Sequence, residues 1–359
     1  MNRFASKFAF VLTAFLLMVG HVDAQFTTTF AKNVTPGQQN GIYYSLPQTM
    51  LKLDFVIEET QLERSPLSDY ASNYMSMADY VEYETTEYRI LDVKLSTVAT
   101  PDPNALFFVT FASVRGGNKV QFNMLPNGII HSVGYGNFTV EEVDEVVGNE
   151  TVVESEFPSN DGLLNLVTSG KSNSQLAKEV ADKIEEIQKA KYKLVSGFYE
   201  VAFNPETFDL MYQKLEAMEK EYTNLLLGNR VTRKVVKSVY VIPNKEVPTQ
   251  TVAKFSEFEG LTLGTAGSGD PISVQTLSLN TTAAINAPST SAVESMIYEN
   301  KVFYRIPEMA NVLVTCGNKT LIEDRLIVNQ LGAMLMAPLT NSELVFDTTT
   351  GQIVNLKMQ

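Results

Sequence analysis

The sequence predicts an α+β fold that is mainly β, with two β-sandwich-like modules separated by an antiparallel α-helical hairpin. Three observations predict it. Both halves of the chain alternate apolar and polar residues with period two, the mark of half-buried strands. Between them, two segments carry apolar residues every three or four positions, the period of a helix. The two β regions also share punctuation. Ile42-Tyr43-Tyr44-Ser45-Leu46-Pro47 is echoed by Val302-Phe303-Tyr304-Arg305-Ile306-Pro307, and each precedes an alternating strand.

Residues 1–24 read as a signal peptide. Arg3 and Lys7 precede the apolar run Phe8 to Val19, Gly20 breaks it, and Val22-Asp23-Ala24 offers cleavage after Ala24. The run is shorter than the roughly 20 residues a membrane span needs. No cysteine lies near the cleavage point, so no lipid anchor is expected. The expected destination lies beyond the inner membrane: periplasm, outer-membrane-associated or extracellular. Residues 25–40, polar with Pro36-Gly37, read as a flexible N-terminal segment.

An N-terminal β module with one short helix is expected over 41–147. Its first aromatic strand should stop at Pro47, since proline suits a strand end or an edge. Leu51, Leu53, Phe55 and Ile57 then alternate against Lys52, Asp54 and Glu58. Ser65-Pro66 reads as a cap and first position of the short helix, with Tyr70 and Tyr74 one turn apart. Strands follow at 88–98, 105–113, 120–124 and 129–133, the last two flanking the turn Leu125-Pro126-Asn127-Gly128. Residues 148–171 read as an acidic linker. From 120 to 170 there is no Lys or Arg, while Glu141, Glu142, Asp144, Glu145, Glu150, Glu154, Glu156 and Asp161 accumulate and repel one another.

The helical hairpin is expected over 172–229. Leu176, Val180, Ile184 and Ile187 recur at helical spacing, with Glu179–Lys183 and Glu185–Lys189 one turn apart. Asn204-Pro205-Glu206 opens the second helix, and Gly228 ends it. Its seam of Phe208, Met211, Leu215, Met218, Tyr222 and Leu225 reads as core rather than as a partner groove. A C-terminal β module over 230–359 completes the chain. Strands are expected at 231–242, 252–258 and 312–316, and at 344–347 and 353–356 around Thr350-Gly351. Residues 263–299 read as a long loop holding one short strand, 272–277.

The charge balance bounds the partners. Twenty-eight Lys and Arg against 41 Asp and Glu leave a net charge of −13, which repels nucleic acid and anionic membrane faces. No apolar run after Leu17 reaches spanning length, so no transmembrane segment is expected in the mature chain. An envelope protein, a peptide or a glycan are the partners the sequence allows. It leaves the oligomeric state open.

Residue counts exclude several chemistries. Cys316 is the only cysteine, so no intramolecular disulfide forms. His21 leaves with the leader, and His131 alone cannot build a clustered His/Cys zinc site. Nothing in the spacing joins Cys316 to His131. A buried structural thiol and a solvent-facing strand histidine are the ordinary readings. Gly264-Thr265-Ala266-Gly267-Ser268-Gly269 lacks the lysine and helix of a phosphate loop, and the acidic run lacks the spacing of a calcium loop. No catalytic, cofactor-binding or metal-ligating residue is assigned, and no cofactor is expected.

The expected function is accordingly a non-enzymatic, exported envelope protein that binds protein or scaffolds a complex. The alternative is a carboxylate-dependent glycoside hydrolase or a glycan-binding protein. Glu216 with Glu219, and Glu323 with Asp324, are its carboxylate pairs by proximity. The first sits among Lys214 and Lys220 like a solvated helix face. The second, adjacent in a strand, points to opposite faces. The absence of tryptophan removes the best platform for stacking sugars, although the tyrosines can substitute in that role.

Five motifs carry a resemblance. They are Gly41 to Pro47, Leu215 to Gly228 with its Leu225-Leu226-Leu227-Gly228 ending, and Phe303 to Pro307. The others are Gln330-Leu331-Gly332 before Pro338-Leu339, and Phe346-Asp347 to Thr350-Gly351. Together they resemble an uncharacterised domain-of-unknown-function family of exported Bacteroidetes-type envelope proteins. The resemblance implies an envelope location in Gram-negative anaerobes and carries over no activity or catalytic residue. With that origin, Asp347-Thr348-Thr349 resembles a short O-glycosylation acceptor; an ordinary turn is the plainer reading.

Overall fold

The computed structural model describes residues 25–35, 37, 40–74, 80–112, 120–135, 171–197, 204–285, 296–340 and 342–358. The expected signal peptide and nearly all of the acidic linker lie outside these residues. The described chain is mainly β, as the alternation predicts, and its strands form three antiparallel sheets.

Fourteen strands build them. They are β1 (Phe26–Phe30), β2 (Gly41–Glu63), β3 (Thr85–Phe111), β4 (Val120–Met124), β5 (Ile130–Tyr135), β6 (Asn229–Val241) and β7 (Thr249–Ser256). Then follow β8 (Gly260–Leu263), β9 (Asp270–Ser278), β10 (Tyr298–Glu299), β11 (Lys301–Cys316), β12 (Lys319–Pro338), β13 (Ser342–Phe346) and β14 (Ile353–Met358). The sheet orders are β10-β1-β3-β2-β6, β12-β11-β9-β7-β8 and β14-β13-β5-β4.

Two long hairpins, β2–β3 and β11–β12, run the length of the molecule. The sequence predicts that Pro47 and Pro307 end short strands; instead each strand continues through a bulge. In β2, Ser45 faces Leu106 and Pro47 faces Pro101, so Leu46 alone opposes residues 102–105. In β11, Ile306 faces Ala333 and Glu308 faces Val328, so Pro307 alone opposes residues 329–332. Both hairpins thus set one residue against four at matching places. A bulge interrupts the ladder, so proline's missing N–H costs little there.

A glycine turn docks on each bulge. The Ser45 N–H donates to the Gly128 carbonyl and the Arg305 N–H to the Gly351 carbonyl, both at 2.9 Å. Gly128 and Gly351 sit at φ 87° and 76°, a conformation that favours glycine. These turns close the short hairpins β4–β5 and β13–β14, which meet side by side in the third sheet.

Two apolar cores lie along the long strands. The first gathers Phe26, Phe30, Tyr44, Phe107, Ile130, Phe303 and Phe346, with the Phe107 and Phe303 rings stacked at 4.4 Å. The second gathers Leu53, Phe55, Ile57, Val239, Ile272, Val274 and Val312. Each such side chain contributes about 1.5–3 kcal/mol on full burial. Both cores draw on residues before and after the helices, and β6 pairs with β2, so the two β regions share sheets. Between the cores runs a belt of buried polar residues that includes Thr49, Asp102, Arg305, Glu308 and Asn329.

Residues 26–30 correct one expectation. Within the segment read as flexible, Phe26-Thr27-Thr28-Thr29-Phe30 forms β1 between β10 and β3. Its alternation sends Phe26 and Phe30 into the first core, which holds the segment in place. The short strand expected at 272–277 within the long loop is present as β9, central in its sheet between β11 and β7.

Three helices are described. The short α1 (Ala71–Tyr74) follows a single turn of 3₁₀ helix, while α2 (Asn173–Ser196) and α3 (Pro205–Leu227) are long. Ser172 and Gln175 form a reciprocal capping box on α2, and Gly197 at φ 73° ends it. The Asn204 side chain accepts from the Thr207 N–H at the start of α3. Leu176, Val180 and Ile184 of α2 share an apolar cluster with Leu225 and Leu226 of α3 and with Leu67 and Ala71. The two seams are buried unequally. That of α2 is buried, whereas on α3 only Leu225 is; Phe208, Met211, Leu215 and Tyr222 stay half-buried and Met218 is exposed. The expectation that the whole α3 seam is core holds only at its sheet-proximal end.

Candidate functional site

At one end of the long strands the first two sheets part and leave a cleft of about 980 Å³. One wall comes from β2, β3 and β6. There Glu58 pairs across the ladder with Arg89 at 2.7 Å, and Thr60 shares a 3.2 Å hydrogen bond with Thr232. The facing side carries Phe255 from β7, Phe258 from the β7–β8 turn, Asp270 from β9, and Cys316 and Lys319 at the adjoining ends of β11 and β12.

Glycines allow this arrangement. A Cβ on Gly260 would stand 3.1 Å from the Tyr88 ring, and one on Gly269 would stand 2.1 Å from the Phe255 carbonyl oxygen. The Tyr88 N–H donates to the Glu257 carbonyl at 2.7 Å and ties the turn to β3 across the gap between the sheets. The Phe258 ring, at the turn tip, is 68 % exposed.

A second cavity, of about 610 Å³, lies where α3 meets β2, β3 and β6. Its polar groups hold one another. Asn229 donates to Glu63 at 3.1 Å, and Asn224 donates to Asn229 at 3.2 Å. This cavity reads as the joint between helix and sheet.

Cys316 lines the cleft, and burial raises its thiol pKa, with the nearby Asp270 carboxylate adding to the effect. It is therefore held as a thiol, the opposite of an activated nucleophile. His131 sits on β5 in the four-stranded sheet, half-buried, and its Nδ1 is buried without a hydrogen-bond partner. The fold places these two residues in different sheets and does not bring them together.

The carboxylate pairs fare no better as catalysts. Glu219 accepts from Lys191 and Gln188, and the hydrogen bond from Lys191 is the main force holding its pKa down. Glu216 stays on the exposed face of α3. Glu323 and Asp324 are exposed on β12, where Glu323 accepts from Asn311 and Asp324 from the Arg325 N–H. None of the four lines the cleft.

The buried carboxylates are committed elsewhere. Glu59 is ion-paired with Arg233 and Asp102 with Arg305, each at 2.8 Å. Glu308 accepts from the N–H and hydroxyl of both Thr281 and Thr282, at 2.5–3.1 Å. Burial alone would raise its pKa, but the four hydrogen bonds outweigh it and hold the group at about 2.

Asp347 accepts from the N–H and hydroxyl of Thr349 and from the Thr350 N–H, an ordinary side-chain-capped turn, with Thr348 half-buried beside it. Residues 264–269 lead into β9 rather than a helix. The acidic residues 141–161 lie outside the described residues. Among those described, no three His, Cys, Asp or Glu cluster so as to hold a metal ion. Nor is any helix long and apolar enough to cross a membrane.

Sequence reasoning missed the polar belt. Four of the five motifs behind the resemblance converge there: Ser45 to Pro47, Arg305 to Pro307 and Gln330 to Gly332 form the bulges, and Gly351 docks on one of them. An arginine inside an otherwise apolar strand was the available signal. The cleft, by contrast, gathers residues from seven strands, and no local spacing announces it.

One sheet edge is also open. β14 borders the third sheet, and Val354, Leu356 and Met358 on it are 61, 56 and 78 % exposed. The β6 edge carries Arg230, Arg233, Lys234 and Lys237, charges of the kind that discourage strand pairing. β14 carries only Lys357.

The model of one protein family, described as Domain of unknown function (DUF4831), matches residues 40–354. No curated protein and no solved structure matches the chain.

Proposed function

Since the chain belongs to the DUF4831 family over almost its whole length, and that family carries no assigned activity, we propose that it is an exported, non-enzymatic envelope protein that binds a protein partner by strand addition. The open edge of β14 carries this reading. An extended segment of the partner completes the unpaired ladder of the third sheet and covers Val354, Leu356 and Met358. Export rests on the leader, with cleavage after Ala24 and residence in the periplasm, at the outer membrane or outside the cell.

The same reading takes the two long hairpins as related modules and the helices between them as an antiparallel hairpin. The matching one-against-four bulges and their docked glycine turns support the first part. For the second, Leu176 of α2 lies with Leu225 of α3, and Lys191 lies over the Tyr212 ring at 5.1 Å.

Hydrogen–deuterium exchange on the protein in its native envelope extract tests the docking. The β14 amides should exchange more slowly in the complex than in the isolated protein. A Val354→Lys/Leu356→Lys variant should lose both that protection and the complex. Equal complex formation by the variant, or no slowing at β14, refutes strand addition. Sequencing the mature N-terminus tests export, and the expected first residue is Gln25.

A further inference from the structure

The cleft at the parted end of the two sheets has the chemistry of a ligand site that does not depend on the β14 edge. We propose that it binds a neutral oligosaccharide. Its volume, about 980 Å³, is at the upper end of what small-molecule sites enclose, so it takes an extended rather than a single-ring ligand.

Charge narrows the class. The lining holds three cations, Arg89, Arg230 and Lys319, and four carboxylates, Glu58, Glu87, Glu257 and Asp270. A polyanion would meet the carboxylates and a polycation the guanidinium groups, so neither fits a nearly balanced surface. A chain of sugar hydroxyls donates to carboxylates and accepts from Arg and Lys with the same group, which suits interleaved charges of both signs.

Shape narrows it further. Phe258 presents an exposed ring at the rim, a face on which the C–H side of a sugar can stack, and Phe255 lines the cleft near it. The opposite wall is made of ladder side chains that pair with one another, Glu58 with Arg89 and Thr60 with Thr232. The turn bearing Phe258 is tethered by the hydrogen bond between Tyr88 and Glu257.

Isothermal titration calorimetry of the full mature chain against maltohexaose, cellohexaose, mannohexaose and xylohexaose tests the proposal. Polygalacturonate and an extended ten-residue peptide serve as competitors of other classes. At least one neutral hexasaccharide should bind. Phe258→Ala should weaken it at least tenfold, and Arg89→Ala at least fivefold, with urea midpoints unchanged in both variants. The Val354→Lys/Leu356→Lys variant should bind the sugar as the parent does, which separates this site from the proposed protein edge. Binding of none of the four, an affinity unmoved by Phe258→Ala, or displacement of the sugar by polygalacturonate or the peptide overturns it.

Discussion

Arg305 leaves one long hairpin and closes on Asp102 of the other, 2.8 Å away, with both side chains less than a tenth exposed. A second nitrogen of the same guanidinium donates to the Pro47 carbonyl at 2.7 Å. One side chain therefore ties the bulge of β11 to both strands of the β2–β3 bulge. A buried charge that loses its partner is costly, typically about 3–5 kcal/mol. Asp102→Ala should destabilise the protein by about that much in urea denaturation. An Asp102→Leu/Arg305→Met double variant should lose less than the two single losses combined, because it strands no charge.

Glu308 gives a pH signature. Its pKa is held near 2, below the ordinary 4.5. A depressed carboxylate stabilises the fold fully above its unfolded pKa and loses that contribution as pH falls through the folded value. The shift corresponds to about 3 kcal/mol. Glu308→Gln should thus be less stable than the parent at pH 7. The difference should shrink between about pH 5 and pH 2 in denaturation curves taken across that range.

Gly332 tests the wide bulge of β12. A Cβ there would lie 2.0 Å from the Ile306 carbonyl oxygen and 2.9 Å from the Glu308 nitrogen, both backbone atoms that cannot swing aside. Gly332→Ala should cost about 1–3 kcal/mol or more through forced backbone movement. Faster amide exchange should appear at the β11–β12 bulge before it appears in the second core.

Cys316 should be sluggish toward alkylation. Burial first, and Asp270 second, keep it protonated, so iodoacetamide at neutral pH should modify it more slowly than a free cysteine. Asp270→Asn should speed the reaction by removing the neighbouring negative charge. A thiol reacting as fast as free cysteine would contradict the partial burial of Cys316.

The strands were legible wherever alternation was clean, as in Leu51 to Ile57, and the helix ends wherever signals were explicit, as at Asn204 and Gly228. Pro47 and Pro307 misled because a bulge tolerates proline in mid-strand, and a bulge depends on a partner strand far away in sequence. Phe26 and Phe30 give a weak strand signal because three polar threonines lie between them, although that spacing is itself period two. The cleft was invisible for a different reason. Glu58, Arg89, Thr232, Phe258 and Lys319 come together only once two sheets are stacked.

The long hairpins pass from one core to the other through their bulges, and this sets how the protein can fail. Like beams common to two rooms, β2, β3 and β11 line both cores. Loosening one end levers on the other through stiff, hydrogen-bonded ladders. Melting should therefore be a single event rather than two. A proteolytic cut among the aromatic residues of the first core should be felt at the far end of the same beams, where the cleft opens.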